Sequence, residues 1–71
     1  MENYRGKKVI GFKYETSEDG LEWDARMDKH IGEIGTVIIQ HNNAVGIKFE
    51  NSRHWYYPIE LIDDYLIEKL I

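Results

Sequence analysis

Residues 46–58 read GIKFENSRHWYYP: a short apolar run, a polar break, four consecutive ring-bearing side chains and the single proline of the chain. Successive side chains of a β-strand point to opposite faces, so a strand can bury only every second ring of the run from His54 to Tyr57. Two apolar runs on either side of a polar break are typical of a β-hairpin. The stretch therefore predicts a hairpin with one face of rings inside the protein and one face outside.

The length of the turn decides which rings point inward. A connection of three or five residues around Asn51 and Ser52 leaves His54 and Tyr56 on the outer face, whereas a two-residue turn reverses the two faces. We expect the longer connection because it adds two rings to the core, and aromatic pairs across strands stabilise a sheet beyond the area they bury. The pairs expected from it are Phe49 with Trp55 and Ile47 with Tyr57.

The preceding residues predict a second hairpin, built from TVIIQ at 36–40 and VGIKF at 45–49. A two-residue turn at Asn42 and Asn43 would put the apolar side chains of the two strands on opposite faces. A five-residue connection over 40–44 places them on one face and leaves Ile38 pointing outward. We expect the longer connection, and with it the pairs Ile39 with Val45 and Val37 with Ile47.

A first strand and a long loop precede these hairpins. KVIGFKY at 8–14 predicts the strand, with a bulge or bend at Gly11. Residues 15–35 form the loop, and within it a helical turn can begin after the capping residue Asp24 and end at Gly32. We expect three apolar side chains to anchor this loop to the core, namely Trp23, Met27 and Ile31.

The sheet is expected to end at Pro58, which has no N–H to donate to a strand pairing. IELI at 59–62 predicts one short turn of 3₁₀ helix whose apolar side chains plug one end of the domain. The tail DDYLIEKLI at 63–71 fits either a helical stripe or a last strand. We expect a closing strand that frays into a helical turn.

The composition favours a single small folded domain over residues 1–71. Of these residues 42% are hydrophobic and 13% aromatic, which supports a packed core. There is no cysteine for a disulfide or a thiolate metal site. The opening MENYRGKKVIGF lacks the apolar stretch of a signal peptide, and no run approaches the ~20 apolar residues of a membrane span. We expect a cytoplasmic protein.

The charge is negative and unevenly distributed. A net charge of −4 disfavours binding to a phosphate backbone, which depends on Lys and Arg. The long loop carries an acidic block with no cation inside it. Its residues are Glu15, Glu18, Asp19, Glu22 and Asp24. This block is either a solvated loop or a patch that steers basic ligands toward the protein.

In chain order the expected elements are a strand, a long loop, three strands in a meander, a 3₁₀ turn and a last strand. This is the plan of an SH3-like barrel. HIGEIGTV at 30–37 and WYYP at 55–58, together with Trp23, resemble the SH3-like domain repeated in Mind bomb-type ubiquitin ligases. The chain looks closer still to the small stand-alone relatives of that domain in phage and bacterial genomes. The resemblance covers about residues 6–62.

The expected fold class is therefore all-β: a small SH3-like barrel of about five antiparallel strands, with a long loop after the first strand and a short 3₁₀ turn near Pro58. Its core lies over about 6–62, and 63–71 form the closing strand or a short helix. Because such domains of the ligases bind peptide segments of receptor ligands, the resemblance implies a protein-interaction module. The sequence holds a single short copy, and the ubiquitin chemistry of the ligases does not carry over to it.

The leading functional hypothesis is a non-catalytic module that recognises an extended or basic segment of a partner protein. SH3 domains accept proline-rich segments with an adjoining cation on an aromatic shelf beside acidic side chains. We expect the partner to bind between the 14–24 loop and the aromatic hairpin. The contact residues expected there are Tyr14, Trp23 and Tyr56, with Glu18, Asp19 and Glu22 attracting cations. The alternative for Trp23 is that it only anchors the loop.

Two other functions remain open. The protein can be a phage- or mobile-element-encoded inhibitor that blocks a bacterial enzyme such as a nuclease, or a small barrel that binds nucleic acid by stacking bases on its outward rings. The apolar tail also leaves open whether the protein is a monomer or a weak homodimer.

Catalytic, metal and cofactor sites are not predicted. His30, His41 and His54 have no cysteine and no i, i+4 partner, whereas zinc takes three or four converging ligands. Ser17 and Ser52 lie in turn contexts, so the sequence predicts no pair of nucleophile and base. No glycine-rich phosphate loop precedes a helix. We therefore expect neither enzyme activity nor a bound cofactor or metal.

Overall fold

Four strands form one antiparallel sheet in the computed structural model, which describes residues 2–15 and 20–67. The strands are neighbours in chain order: β1 (Lys8–Ile10), β2 (Ile34–Gln40), β3 (Ala44–Lys48) and β4 (His54–Pro58). A first 3₁₀ helix, Ala25–His30, lies between β1 and β2, and a second, Ile59–Tyr65, follows β4. The all-β class expected from the sequence is confirmed at this level.

The first strand is shorter than expected because the chain bends at Gly11. The Gly11 N–H donates to the carbonyl of Glu33 at 2.7 Å, and the Gly11 carbonyl accepts from the N–H of Gly32 at 2.9 Å. A Cβ at Gly11 would collide with the carbonyl oxygen of His30, so only glycine fits this close approach. The predicted bend is confirmed, whereas the predicted strand over 8–14 is wrong beyond Ile10.

The end of the long loop is helical, and it begins and ends near the predicted residues. Asp24 is the N-cap, and its carboxylate accepts from the N–H of Arg26 at 2.8 Å. Met27 is buried, but Ile31 is 49% exposed and does not anchor the loop. Side chains three residues apart share a face of a 3₁₀ helix, so His30 takes the inward position after Met27 and Ile31 points outward.

The pairing of β2 with β3 contains a bulge that the sequence did not predict. Val37 pairs with Ile47 as expected, and Ile38 points outward at 44% exposure. Beyond Ile38 the register shifts by one residue, so the predicted pair of Ile39 with Val45 is wrong. Ile39 instead lies opposite Gly46, which has no side chain to obstruct it; a Cβ there would sit 3.1 Å from that of Ile39.

The β3–β4 hairpin has the predicted faces but a different register. Trp55 and Tyr57 point inward, and His54 and Tyr56 are only half-buried. The predicted pairs are wrong by two residues, because Phe49 leaves the sheet to enter the turn, where its carbonyl accepts from the N–H of Ser52 at 3.2 Å. The observed pairs are Ile47 with Trp55 and Val45 with Tyr57.

The chain after Pro58 folds back over the sheet. The second 3₁₀ helix is longer than the single turn expected over 59–62, and its Ile62 is fully buried. Leu66 then forms one antiparallel bridge with Val9 of β1. Whether a closing strand or a helix continues from there falls on 68–71, outside the described residues. None of the helices in the described ranges is long and apolar enough to cross a membrane.

A chain of ring contacts links the two 3₁₀ helices through the core. Tyr65 stacks on Phe12 at 4.0 Å, and Phe12 lies 5.1 Å from Tyr57. Tyr57 lies 6.2 Å from Phe49, whose ring stacks on the imidazole of His30 at 4.3 Å and 8°. The interior is therefore built largely from aromatic rings, with aliphatic side chains of the strands around them.

Candidate partner-binding surface

Tyr14, expected as a contact residue, is instead buried at 5% exposure. Its ring meets Trp23 edge-on at 5.3 Å and lies 5.6 Å from Tyr57. Its hydroxyl donates to the carbonyl of Tyr56 at 2.8 Å and lies 3.3 Å from the carbonyl of Glu22. Burial raises the pKa of the phenol, so it keeps the proton that it donates. Tyr14 is thus a strut that ties the long loop to β4.

Trp23 is half-buried, and both its ring and its N–H are held in place. The indole Nε1–H donates to the Asp28 carboxylate at 2.7 Å. The ring packs edge-on against Tyr14 and lies 6.4 Å from Tyr57. Trp23 therefore anchors the loop, which is the alternative that the sequence left open, and it still presents part of its surface to solvent.

Tyr56 lies on the other side of β4, on the outer face of the sheet. Its ring is half-buried between His54, at 5.4 Å and 89°, and His41, at 5.7 Å. It meets the loop through its main-chain carbonyl, which accepts the Tyr14 hydroxyl. The structure thus brings Tyr14, Glu22 and Trp23 together and joins Tyr56 to them by its backbone. Glu18 and Asp19 lie outside the described residues.

The carboxylates of the acidic block are not equally accessible to a partner. The carboxylate of Asp24 is bound by the Arg26 side chain at 3.0 and 2.8 Å and by the Arg26 backbone N–H. These hydrogen bonds lower the pKa of Asp24 to about 2, and they also occupy its oxygens. Glu22 is exposed, and Asp28, which the sequence did not single out, is exposed beside the indole of Trp23.

Two arginines lie over Trp55, an arrangement the sequence analysis missed. The guanidinium carbons of Arg53 and Arg26 are 4.8 and 5.2 Å from the ring centroid. Cations are attracted to the face of an indole, so the pair fastens the first 3₁₀ helix to β4. Arg53 precedes β4 by one residue and lies two residues from Trp55, and this spacing is the signal from which half of the contact can be predicted.

The structure also brings together a serine, a histidine and a carboxylate, although the sequence predicted no such set. His30 Nε2 lies 3.1 Å from Ser52 Oγ, and His30 Nδ1 lies 2.6 Å from Glu33 Oε1. In serine hydrolases the histidine faces the substrate and a buried acid orients it. Here the imidazole is 2% exposed and stacked on Phe49, while Glu33 is the exposed member. The arrangement braces the first 3₁₀ helix against the β3–β4 turn.

The described residues contain no group of three or more His, Asp or Glu side chains placed to hold a metal ion. His41 and His54 contact the ring of Tyr56, and His30 contacts Phe49. Each of the three imidazoles thus has an aromatic neighbour.

Comparison of the chain with family models, with curated proteins and with solved structures finds no match.

Proposed function

We propose that the protein is a non-catalytic, cytoplasmic protein-binding module that recognises an extended or basic segment of a partner along β4 and the adjoining loop. The observation that carries this proposal is the Tyr14 hydroxyl bond to the Tyr56 carbonyl, beside the Glu22 carbonyl. It ties the loop that carries Trp23 to the backbone of β4 at Tyr56. A site held by its supporting residues in advance loses less entropy when it binds.

The architecture supports an SH3-like barrel of the Mind bomb type as the scaffold of this module. A meander of antiparallel strands is followed by a 3₁₀ helix, and the chain then returns to β1 at Leu66. In this reading Leu66 belongs to the fifth strand that closes the barrel. The loop between β1 and β2, which carries Trp23, would then supply ring surface of the kind on which SH3 domains accept peptides.

The charge around Trp23 favours a cation on the partner. Glu22 immediately precedes Trp23 in the sequence and is exposed. The carboxylate of Asp28 lies beside the indole ring, because it accepts the indole N–H. Among the described residues neither carboxylate forms an ion pair with a lysine or arginine. A lysine or arginine of the partner can therefore lie against the indole and a carboxylate together.

Selection from a random peptide library against the wild-type protein tests the proposal. We expect enriched peptides that contain Lys or Arg, and we expect Glu22→Lys to weaken their binding about tenfold because it reverses an exposed charge at the site. Glu60→Lys makes the same charge change at an exposed position of the second 3₁₀ helix and should leave binding unchanged.

A second pair of variants tests the strut. Tyr14→Phe keeps the ring and removes only the hydroxyl that joins the loop to β4, so we expect weaker peptide binding. Tyr4→Phe removes a hydroxyl at a different place, where it donates to Asp63 at 2.9 Å, and should not affect binding. Peptides without basic residues, or binding that is indifferent to both Glu22→Lys and Tyr14→Phe, would contradict the proposal.

A further inference from the structure

The outward side chains of the sheet form a row of polar and basic groups that crosses all four strands. The register places Lys8 opposite Thr36, Thr36 opposite Lys48, and Lys48 opposite His54. Directly opposite residues on one face of a sheet are close neighbours, so these four side chains lie side by side. We call the side of the sheet that carries this row the outer face.

The two lysines of the outer face keep uncompensated charges. Lys8 Nζ donates to Thr36 Oγ1 at 2.6 Å, and Lys48 Nζ donates to the carbonyl of Phe49 at 3.1 Å and to the carbonyl of Ser52. All of these acceptors are neutral. Neither lysine forms an ion pair with a carboxylate of the described residues, although the whole chain has a net charge of −4. An anion can therefore approach both ammonium groups from solvent.

Apolar side chains flank this row on the same face. Ile38 is 44% exposed at the bulge, and Ile39 covers Gly46 beside the half-buried Tyr56. On the other side of the row Ile34, paired with Ile10, is 61% exposed. None of the outward-facing residues of the four described strands is acidic. Beyond the strands, Glu33 and Glu50 border a cavity beside Ile34.

We propose that the outer face binds an acidic, apolar segment of a partner protein. Carboxylates of the segment pair with Lys8 and Lys48, and its aliphatic side chains cover Ile38 and Ile39. The pattern favours protein over nucleic acid, because single strands are bound by many cations and by stacking on open rings. This face has only two lysines, its rings of His54 and Tyr56 are half-buried, and its most exposed apolar side chains are isoleucines. The inference goes beyond the proposed function, since its partner has the opposite charge and binds across Lys8 and Lys48 rather than at Trp23 and Glu22.

The test uses the same random peptide library in selection against the full chain at low salt. We expect a second class of peptides, rich in Asp, Glu and aliphatic residues. Lys8→Glu should weaken this class about tenfold by placing like charges together, and Ile38→Ser should weaken it by removing apolar contact. Lys29→Glu changes an exposed lysine outside the outer face and should have no effect. Glu22→Lys should also have no effect, which separates this surface from the proposed one.

Four results would overturn the inference. The first is a selection without an acidic class, and the second is an acidic class that binds Lys8→Glu and Ile38→Ser as well as it binds wild type. The third is tighter binding of a single-stranded thymidine oligonucleotide that depends on Lys8, because the ligand is then nucleic acid. The fourth is self-association in sedimentation that Lys8→Glu abolishes, because the occupant of the face is then a second copy of the chain.

Discussion

Two tyrosine hydroxyls in different surroundings predict opposite effects of the same substitution. The Tyr57 side chain is fully buried, and its hydroxyl has no hydrogen-bond partner among the described residues. A buried hydroxyl without a partner costs its full desolvation penalty, so Tyr57→Phe should raise the free energy of unfolding by about 1 kcal/mol. The Tyr4 hydroxyl donates to Asp63 at 2.9 Å, so Tyr4→Phe should lower it by about 1 kcal/mol.

Urea denaturation of the two variants beside wild type measures both effects. Each substitution removes one oxygen and keeps the ring, so changes in apolar packing stay small in both. A loss of stability in Tyr57→Phe would show that the hydroxyl has a partner and would contradict the prediction.

At the scale of single elements, the cap of the first 3₁₀ helix predicts a dependence of stability on acid. Hydrogen bonds from the Arg26 side chain and backbone lower the pKa of Asp24 from 3.8 to about 2. A lowered pKa means that the charged carboxylate stabilises the folded state above pH 3.8, and that this contribution is lost as the pH falls toward 2. Asp24→Asn keeps an oxygen to accept the Arg26 N–H but removes the charge.

We therefore expect wild type to melt at a higher temperature than Asp24→Asn at neutral pH, and the two melting temperatures to converge near pH 2. Asp64→Asn changes an exposed carboxyl of the second 3₁₀ helix and supplies the control. A difference between wild type and Asp24→Asn that persists unchanged in acid would rule out the charge as its cause.

Which face a strand residue occupies could be predicted from the sequence, whereas its partner could not. Alternation of apolar and polar residues assigns every second side chain to the same face of the sheet, and a register shift of two residues does not change that assignment. Trp55 and Tyr57 therefore point inward, although both of their predicted pairs were wrong. The bulge at Ile38 depends on the room above Gly46, which no local pattern reports. The Tyr14 hydroxyl bonds to a carbonyl 42 residues away in the chain, so the sequence did not predict that this ring is buried.

For the whole molecule, the buried tyrosines predict a loss of stability in alkali. Burial, with Asp63 nearby, raises the pKa of Tyr4 to about 12, and burial also raises the pKa values of Tyr14 and Tyr57. A raised pKa means that the folded state holds the proton more tightly than the unfolded chain, which releases it near pH 10. The stabilising contribution is fully present below pH 10 and is lost as the pH rises toward about 12.

We expect the free energy of unfolding, measured in urea, to fall over this range, and to fall less in Tyr4→Phe than in wild type. Tyr65→Phe removes the hydroxyl of an exposed tyrosine and gives the matched variant for comparison with Tyr4→Phe. A wild-type profile that is flat between pH 10 and 12 would contradict the prediction.

The Tyr14 strut also affects how readily the terminal strand of the sheet can pair with a second chain. β4 is the terminal strand of the sheet, and an open strand edge is a template on which a second chain can grow into a fibril. The phenol occupies the Tyr56 carbonyl, and Pro58 has no amide hydrogen to offer at the end of the strand. One side chain thereby occupies an acceptor that cross-β assembly along this edge would need, and acts as a guard on the exposed end of the sheet.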